Sequence, residues 1–123
     1  MSQNGTKPRV IVADDERAIA ETMALILNTN GFDARPVSSG EAAIEIAAEF
    51  KPDFLVSDIR MGNLNGIEAA LRVREQWPPC RVVFFSATMV DNETHHRLQE
   101  LGFDFLRKPL HPSHLLAHLR RQR

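Results

Sequence analysis

At 123 residues, 43% hydrophobic and 25% charged, the chain fits one globular domain that buries a core without disulfides or a structural metal. A formal net charge of -1 supplies no global field for nucleic acid, so direct nucleic-acid binding by this domain is not expected. No apolar run nears the roughly 20 residues of a membrane helix, the start MSQNGTK is too polar for a signal peptide, and the single Cys80 suits the reducing cytoplasm.

Residues 1–7 read as a disordered tail and 8–123 as one domain. Val10-Ile11-Val12-Ala13 is a continuous apolar run, the pattern of a strand buried on both faces, and it stops at Asp14-Asp15-Glu16. Ile19, Met23, Ile26 and Leu27 then mark a helix face, with Gly31 as its C-terminal cap. Phe32 to Val37 alternates and contains Pro36, which fits an edge strand. Ser38 and Glu41 have capping-box spacing before a second helix through Ile44, Ala47 and Phe50. Phe54-Leu55-Val56 forms a third strand, ending one small residue before Asp58. Gly62, Asn63, Asn65 and Gly66 form a tight loop, and Ile67, Ala70, Leu71 and Val73 mark a third helix. Trp77 is expected to pack at its end, and Cys80 to behave as a small buried hydrophobe. Val82 to Phe85 forms a fourth strand, ending at Ser86. Asp91 is placed to cap a fourth helix, Asn92 to Leu101, closed by Gly102. That helix has only Leu98 and Leu101 as clear apolar residues and should be weakly held. A weaker fifth strand, Phe103 to Leu106, leads to Lys108-Pro109, and a fifth helix from His111 to Leu119 turns Leu115, Leu116 and Leu119 inward.

Five strands alternating with five helices predict an α/β fold, a doubly wound five-stranded parallel sheet with helices on both faces. Ligands of such folds sit outside the carboxyl ends of the strands. Asp14, Asp15, Asp58, Ser86 and Lys108 all fall there. Asp14 or Asp15 alone would suit a helix N-cap equally well. Three carboxylates gathered at two strand ends need a cation, and Mg²⁺ with oxygen ligands meets that need. A metal and a lysine neutralising equatorial oxygens, with a carboxylate in line to attack, suit phosphoryl transfer. Pro109 could aim Lys108 inward through a cis bond.

With these residues in place, the chain resembles the receiver domain of two-component response regulators from about Pro8 to Arg121. The motifs are VIVADDE (Val10 to Glu16), FLVSDIRMGNLNG (Phe54 to Gly66), FFSAT (Phe84 to Thr88) and FLRKP (Phe105 to Pro109). The resemblance implies a flavodoxin-like sheet of order 2-1-3-4-5. It implies Asp58 as phosphoacceptor, receiving its phosphoryl group from a histidine kinase or histidine phosphotransfer protein. Asp14, Asp15, Asp58 and the backbone carbonyl of Arg60 would hold Mg²⁺. Lys108 would pair with the phosphoryl oxygens, and Ser86 and Phe105 would form the switch. The face of the fourth helix, fifth strand and fifth helix would then change to control a downstream effector protein or an attached output domain, or to form a homodimer. The domain would be a signalling element that assists its own phosphorylation and dephosphorylation, rather than an enzyme.

Three positions depart from the family pattern. Gly62 replaces the usual proline, Arg60 sets a guanidinium near the mouth of the site, and Phe105 lacks a tyrosine hydroxyl. Arg60 and Thr88 are expected to tune the lifetime of the aspartyl phosphate. Two other readings compete. One is a degenerate receiver acting as a non-phosphorylated protein-binding module, against which the retained site residues argue. The other is an Mg²⁺-dependent phosphohydrolase of the haloacid dehalogenase type, which would want an acid where Arg60 stands. His111, His114 and His118 share a flank of the last helix and read as a solvated or partner-facing surface, not a metal site. His95 and His96 read as exposed, and Arg120, Arg121 and Arg123 suit the negative end of a helix.

Overall fold

The computed structural model describes residues 7–60, 65–86, 90–107 and 111–121. Five strands and five helices alternate: β1 (Arg9–Ala13), α1 (Arg17–Asn28), β2 (Asp33–Val37), α2 (Gly40–Phe50), β3 (Phe54–Asp58), α3 (Gly66–Gln76), β4 (Arg81–Ser86), α4 (Asn92–Glu100), β5 (Asp104–Arg107) and α5 (Pro112–Arg121). All strand pairs are parallel, in the order β2-β1-β3-β4-β5. Pro36, which cannot donate to a ladder, lies opposite Val12 on the outermost strand β2, where its missing N–H costs least.

The continuous apolar runs arise because successive side chains enter two different cores. Ile11, Ala13, Leu55 and Phe84 face α2, α3 and α4, packing with Ala43, Ala47, Val73 and Leu98. Val10, Val12, Phe54, Val56, Val83 and Phe85 face the other side, against Ala20, Ala24 and Leu27 of α1 and Leu115, Leu116 and Leu119 of α5. The fully buried Phe84 ring meets Phe103 edge-on, with centroids 5.6 Å apart. Among the described residues, no helix is long and apolar enough to cross a membrane.

Three local expectations shift. In α1 the innermost residues are Ala20, Ala24 and Leu27, while Ile19, Met23 and Ile26 are half-buried and Leu25 is 63% exposed. Alanines let the helix lie close to the sheet, which moves the larger side chains to its flanks. The helix proper ends at Asn28, but Gly31 does adopt φ +93°, and the Phe32 N–H reaches back to the Leu27 carbonyl at 3.1 Å. The capping box on Ser38 does not form. Ser39 is the N-cap of α2, its Oγ accepting from the Ala42 N–H at 3.0 Å. Ser39→Ala should therefore cost about 1 kcal/mol of unfolding free energy, and Ser38→Ala under about 0.5 kcal/mol, in urea titrations.

Other expectations hold. Trp77 closes α3, half-buried, with the Lys51 ammonium 5.6 Å from its ring centroid. Asp91 caps α4 through the Thr94 N–H at 2.7 Å, and Leu98 is the one buried residue of that helix. Cys80 is buried, and burial pushes its thiol from 9.0 up to about 12, with the Arg74 charge opposing and that of Asp53 adding. The folded thiol keeps its proton up to about pH 12, whereas the unfolded chain releases it above 9.0. The unfolded state then binds fewer protons, so this contribution is intact below 9.0 and is lost as pH rises towards about 12. Between about pH 8 and about pH 10.5 the native chain should lose roughly 2 kcal/mol more than Cys80→Ala in urea titrations.

Candidate functional site

The carboxyl ends of β1, β3 and β4 meet at one edge of the sheet. Asp14 continues β1, its N–H donating to the Val37 carbonyl of β2 at 3.1 Å. Its side chain is fully buried, and Oδ1 accepts the Glu16 N–H at 2.9 Å, which turns the chain into α1. Asp15 is exposed. Asp58 ends β3 half-buried, and its Oδ1 accepts the Arg60 N–H at 3.1 Å. Asp14, Asp15 and Asp58 each offer an oxygen, and these lie within 4.8 Å of one another.

Two neighbouring strands complete the edge. Asp58 is in register with Phe85, so Ser86, which is 4% exposed, stands one residue further along β4. Ser86 is in turn opposite Arg107 of β5, the residue before Lys108. Lys108, Pro109, Gly62 and Thr88 lie outside the described residues. Phe105 pairs with Phe84 and is half-buried, its ring edge-on to His95 of α4 with centroids 6.3 Å apart. Arg60 is exposed.

The set of ligands is chemically consistent with a hard divalent cation. Among the described residues, the three aspartates form the one grouping of three or more metal-ligand side chains, and every donor is oxygen. Carboxylates crowded this closely repel one another, and a cation such as Mg²⁺ relieves that repulsion while keeping waters in its remaining positions. Two of the three C-terminal histidines are engaged elsewhere. His118 Nε2 lies 2.9 Å from Asp104 Oδ2, and His111 Nδ1 accepts the Ser113 N–H at 3.1 Å.

Sequence reasoning read Gly66 as part of a routine turn, but it supports the site. Its N–H donates to the Ile59 carbonyl at 2.9 Å, and a Cβ placed on it would lie 2.5 Å from the Asp58 carbonyl oxygen. Asn65 caps α3 beside it, accepting the Ile67 N–H at 2.8 Å. The pair Asn65-Gly66 was a visible turn signal; its closeness to the main chain of Asp58 was not. Ser57 also fixes this strand end, its hydroxyl donating to the Asp58 carbonyl at 2.9 Å.

Residues 10–120 match the family described as the response regulator receiver domain. The response regulator MprA of Mycobacterium leprae (strain TN) is 30% identical over 112 residues, 91% of this chain and 49% of that protein. The chain thus spans about half the length of the curated relatives it matches. A response regulator receiver domain protein (CheY-like) from Methanospirillum hungatei JF-1 superposes with a TM-score of 0.87 at 18% identity, covering 95% of this chain and 94% of that one. A response regulator protein from Burkholderia pseudomallei, solved with a phosphorylated aspartic acid, a calcium ion and citrate, gives a TM-score of 0.81 at 23% identity, covering 89% and 65%. The last two likenesses bear on the fold, which is flavodoxin-like.

Proposed function

The chain belongs to the response regulator receiver family, and from that premise we propose that it is a phosphorylation-dependent switch of a two-component system, with Asp58 as the phosphoacceptor. The observation that carries this reading is the trio Asp14, Asp15 and Asp58, whose oxygens lie within 4.8 Å of one another at the strand ends. Asp58 is half-buried and so open to a donor, whereas the fully buried Asp14 is suited only to a fixed ligand role.

In the transfer step an Asp58 carboxylate oxygen attacks the phosphorus of a phosphohistidine on a histidine kinase or phosphotransfer protein. A P–O bond forms, the P–N bond breaks, and the departing imidazole takes up a proton. Asp14, Asp15, Asp58 and the Arg60 carbonyl would hold Mg²⁺, which would supply charge neutralisation for the phosphoryl oxygens. Lys108, directly after β5, is the second cation in this reading, and the hydroxyl of Ser86 donates to a phosphoryl oxygen. Phe105 then moves inward, and the α4–β5–α5 surface changes for a downstream effector, an output domain or a second copy. The switch works in the cytoplasm. The phosphorylated aspartic acid of the Burkholderia pseudomallei protein supports the same chemistry, and the intact carboxylate trio weighs against a degenerate binding module.

The test is incubation with acetyl phosphate and Mg²⁺, read by intact mass and peptide mapping. One added phosphoryl group on Asp58 is expected. Uptake without Mg²⁺ at the same rate, or on another residue, would overturn the proposal.

A further inference from the structure

An open parallel sheet ends in two edge strands, and β2 is one of them. Two bonds fix which way its backbone groups point. The Asp33 N–H donates to the Pro8 carbonyl at 2.9 Å, and the Val37 carbonyl accepts the Asp14 N–H at 3.1 Å. Asp33, Arg35 and Val37 therefore turn their backbone groups towards β1, and Phe32, Ala34 and Pro36 turn theirs outward.

Outward groups left free on an edge strand are a template for another chain. From Phe32 to Pro36, each outward N–H of β2 is either used or missing. The Phe32 N–H reaches the Leu27 carbonyl at 3.1 Å, and proline has no N–H to offer. Ala34 is met by the last residue of α1. Its N–H donates to Asn28 Oδ1 at 2.7 Å, and its carbonyl accepts from Asn28 Nδ2 at 3.1 Å. A carboxamide has an acceptor and a donor side by side, as a strand offers them to its neighbour. Asn28 thus fills both bonding positions of Ala34 but has no further backbone with which to extend a ladder. Ala34 is buried, so its backbone groups are costly to leave unpaired.

The charges beside Ala34 select what would replace that carboxamide. Asp33 and Arg35 flank it on one face of β2, with side chains that reach solvent. A second β2 strand, antiparallel and centred on Ala34, would bond Ala34 to Ala34 through the same N–H and carbonyl. It would also set Asp33 of each copy opposite Arg35 of the other, a favourable cross-strand pair.

We propose that the β2 edge is a latent self-association surface held closed by Asn28, whose carboxamide fills the bonding position that β2 of a second copy would take. The contact is autoinhibitory: while it stands, pairing must displace it, and Pro36 shortens any ladder that forms. No step involves Asp58, so the protein is tested without phosphodonor.

Sedimentation velocity over a concentration series reads the association. Asn28→Ala should self-associate about tenfold more tightly than the native chain, the scale of freeing the backbone groups of Ala34. Asn28→Ala with Pro36→Val, which returns an outward donor, should associate more tightly still. Adding Asp33→Arg to Asn28→Ala sets like charges opposite one another and should bring association back to the native level; adding Arg35→Asp as well should restore it. General stickiness of a loosened chain would not follow that swap. In the native chain, hydrogen exchange should find the Ala34 amide protected, and Asn28→Ala should lose that protection in dilute, monomeric solution. Native-level association of a folded Asn28→Ala protein would overturn the proposal, as would association indifferent to the charges at Asp33 and Arg35. An unprotected Ala34 amide in the native chain would do the same without any variant.

Discussion

Asp58→Asn is expected to lose detectable phosphoryl uptake from acetyl phosphate while the protein becomes more resistant to heat in chelator. The first effect follows because an amide oxygen is a far weaker nucleophile than a carboxylate and adds less charge to the metal site. The second follows from crowding. Two unit charges held within 4.8 Å of one another repel by at least about 1 to 3.5 kcal/mol at effective dielectric constants between water and a protein surface. Solvent screening at the half-buried Asp58 brings the net gain to about 1 kcal/mol, a rise of a few degrees in Tm for a domain of this size. Mg²⁺ should reverse the order, because it stabilises the native trio more than a site with one carboxylate removed. Calorimetry in chelator and in Mg²⁺, beside the phosphorylation assay, checks both effects. An Asp58→Asn protein that still takes up phosphate, or one that melts lower than the native chain in chelator and gains as much from Mg²⁺, would count against the site.

The acidic cluster was legible in the sequence because it depends on residue types at strand ends. Three apolar runs lead to Asp14, Asp58 and Ser86, and parallel strands put all such ends on one edge of the sheet; the adjacency of β1, β3 and β4 brings these three together. The order β2-β1-β3-β4-β5 was another matter. Periodicity gives no preference among crossovers, and it came from the family resemblance. Local detail failed where neighbours were chemically equivalent. Ser38 and Ser39 are both good caps, and the choice falls to Ser39, since Ala43, Ala47 and Phe50 must meet the sheet in one rotational setting. The α1 stripe failed for a similar reason. Large apolar residues were read as innermost, but close approach of helix to sheet favours Ala20 and Ala24 there. Contacts such as His118–Asp104 join residues of different elements at a separation no local pattern encodes.

Gly66 shows how a residue without functional groups can position Asp58, the proposed acceptor. On propensity alone, Gly66→Ala at the start of α3 should stabilise the chain by about 0.5–1 kcal/mol, since alanine is the better helix former. The packing predicts the opposite sign. The new Cβ would lie 2.5 Å from the Asp58 carbonyl oxygen and 2.8 Å from that of Ile59. Both neighbours are backbone, so no rotamer change relieves the clash. Either α3 retreats, breaking the Gly66 N–H bond to the Ile59 carbonyl, or the end of β3 shifts and carries the Asp58 side chain away from Asp14 and Asp15. The expected cost is about 2–3 kcal/mol of stability, typical of overpacking a rigid site. Phosphorylation should also slow by an order of magnitude or more, because small displacements of a nucleophile are costly in rate. Asn65→Ala separates the two causes. It removes only the α3 cap, so it should cost about 1 kcal/mol and leave the phosphorylation rate of the folded protein close to native. Urea titration and acetyl phosphate kinetics on the two variants decide the matter. If Gly66→Ala proves more stable than the native chain, or if both variants slow phosphorylation equally, close packing of α3 against the acceptor strand is not what positions Asp58.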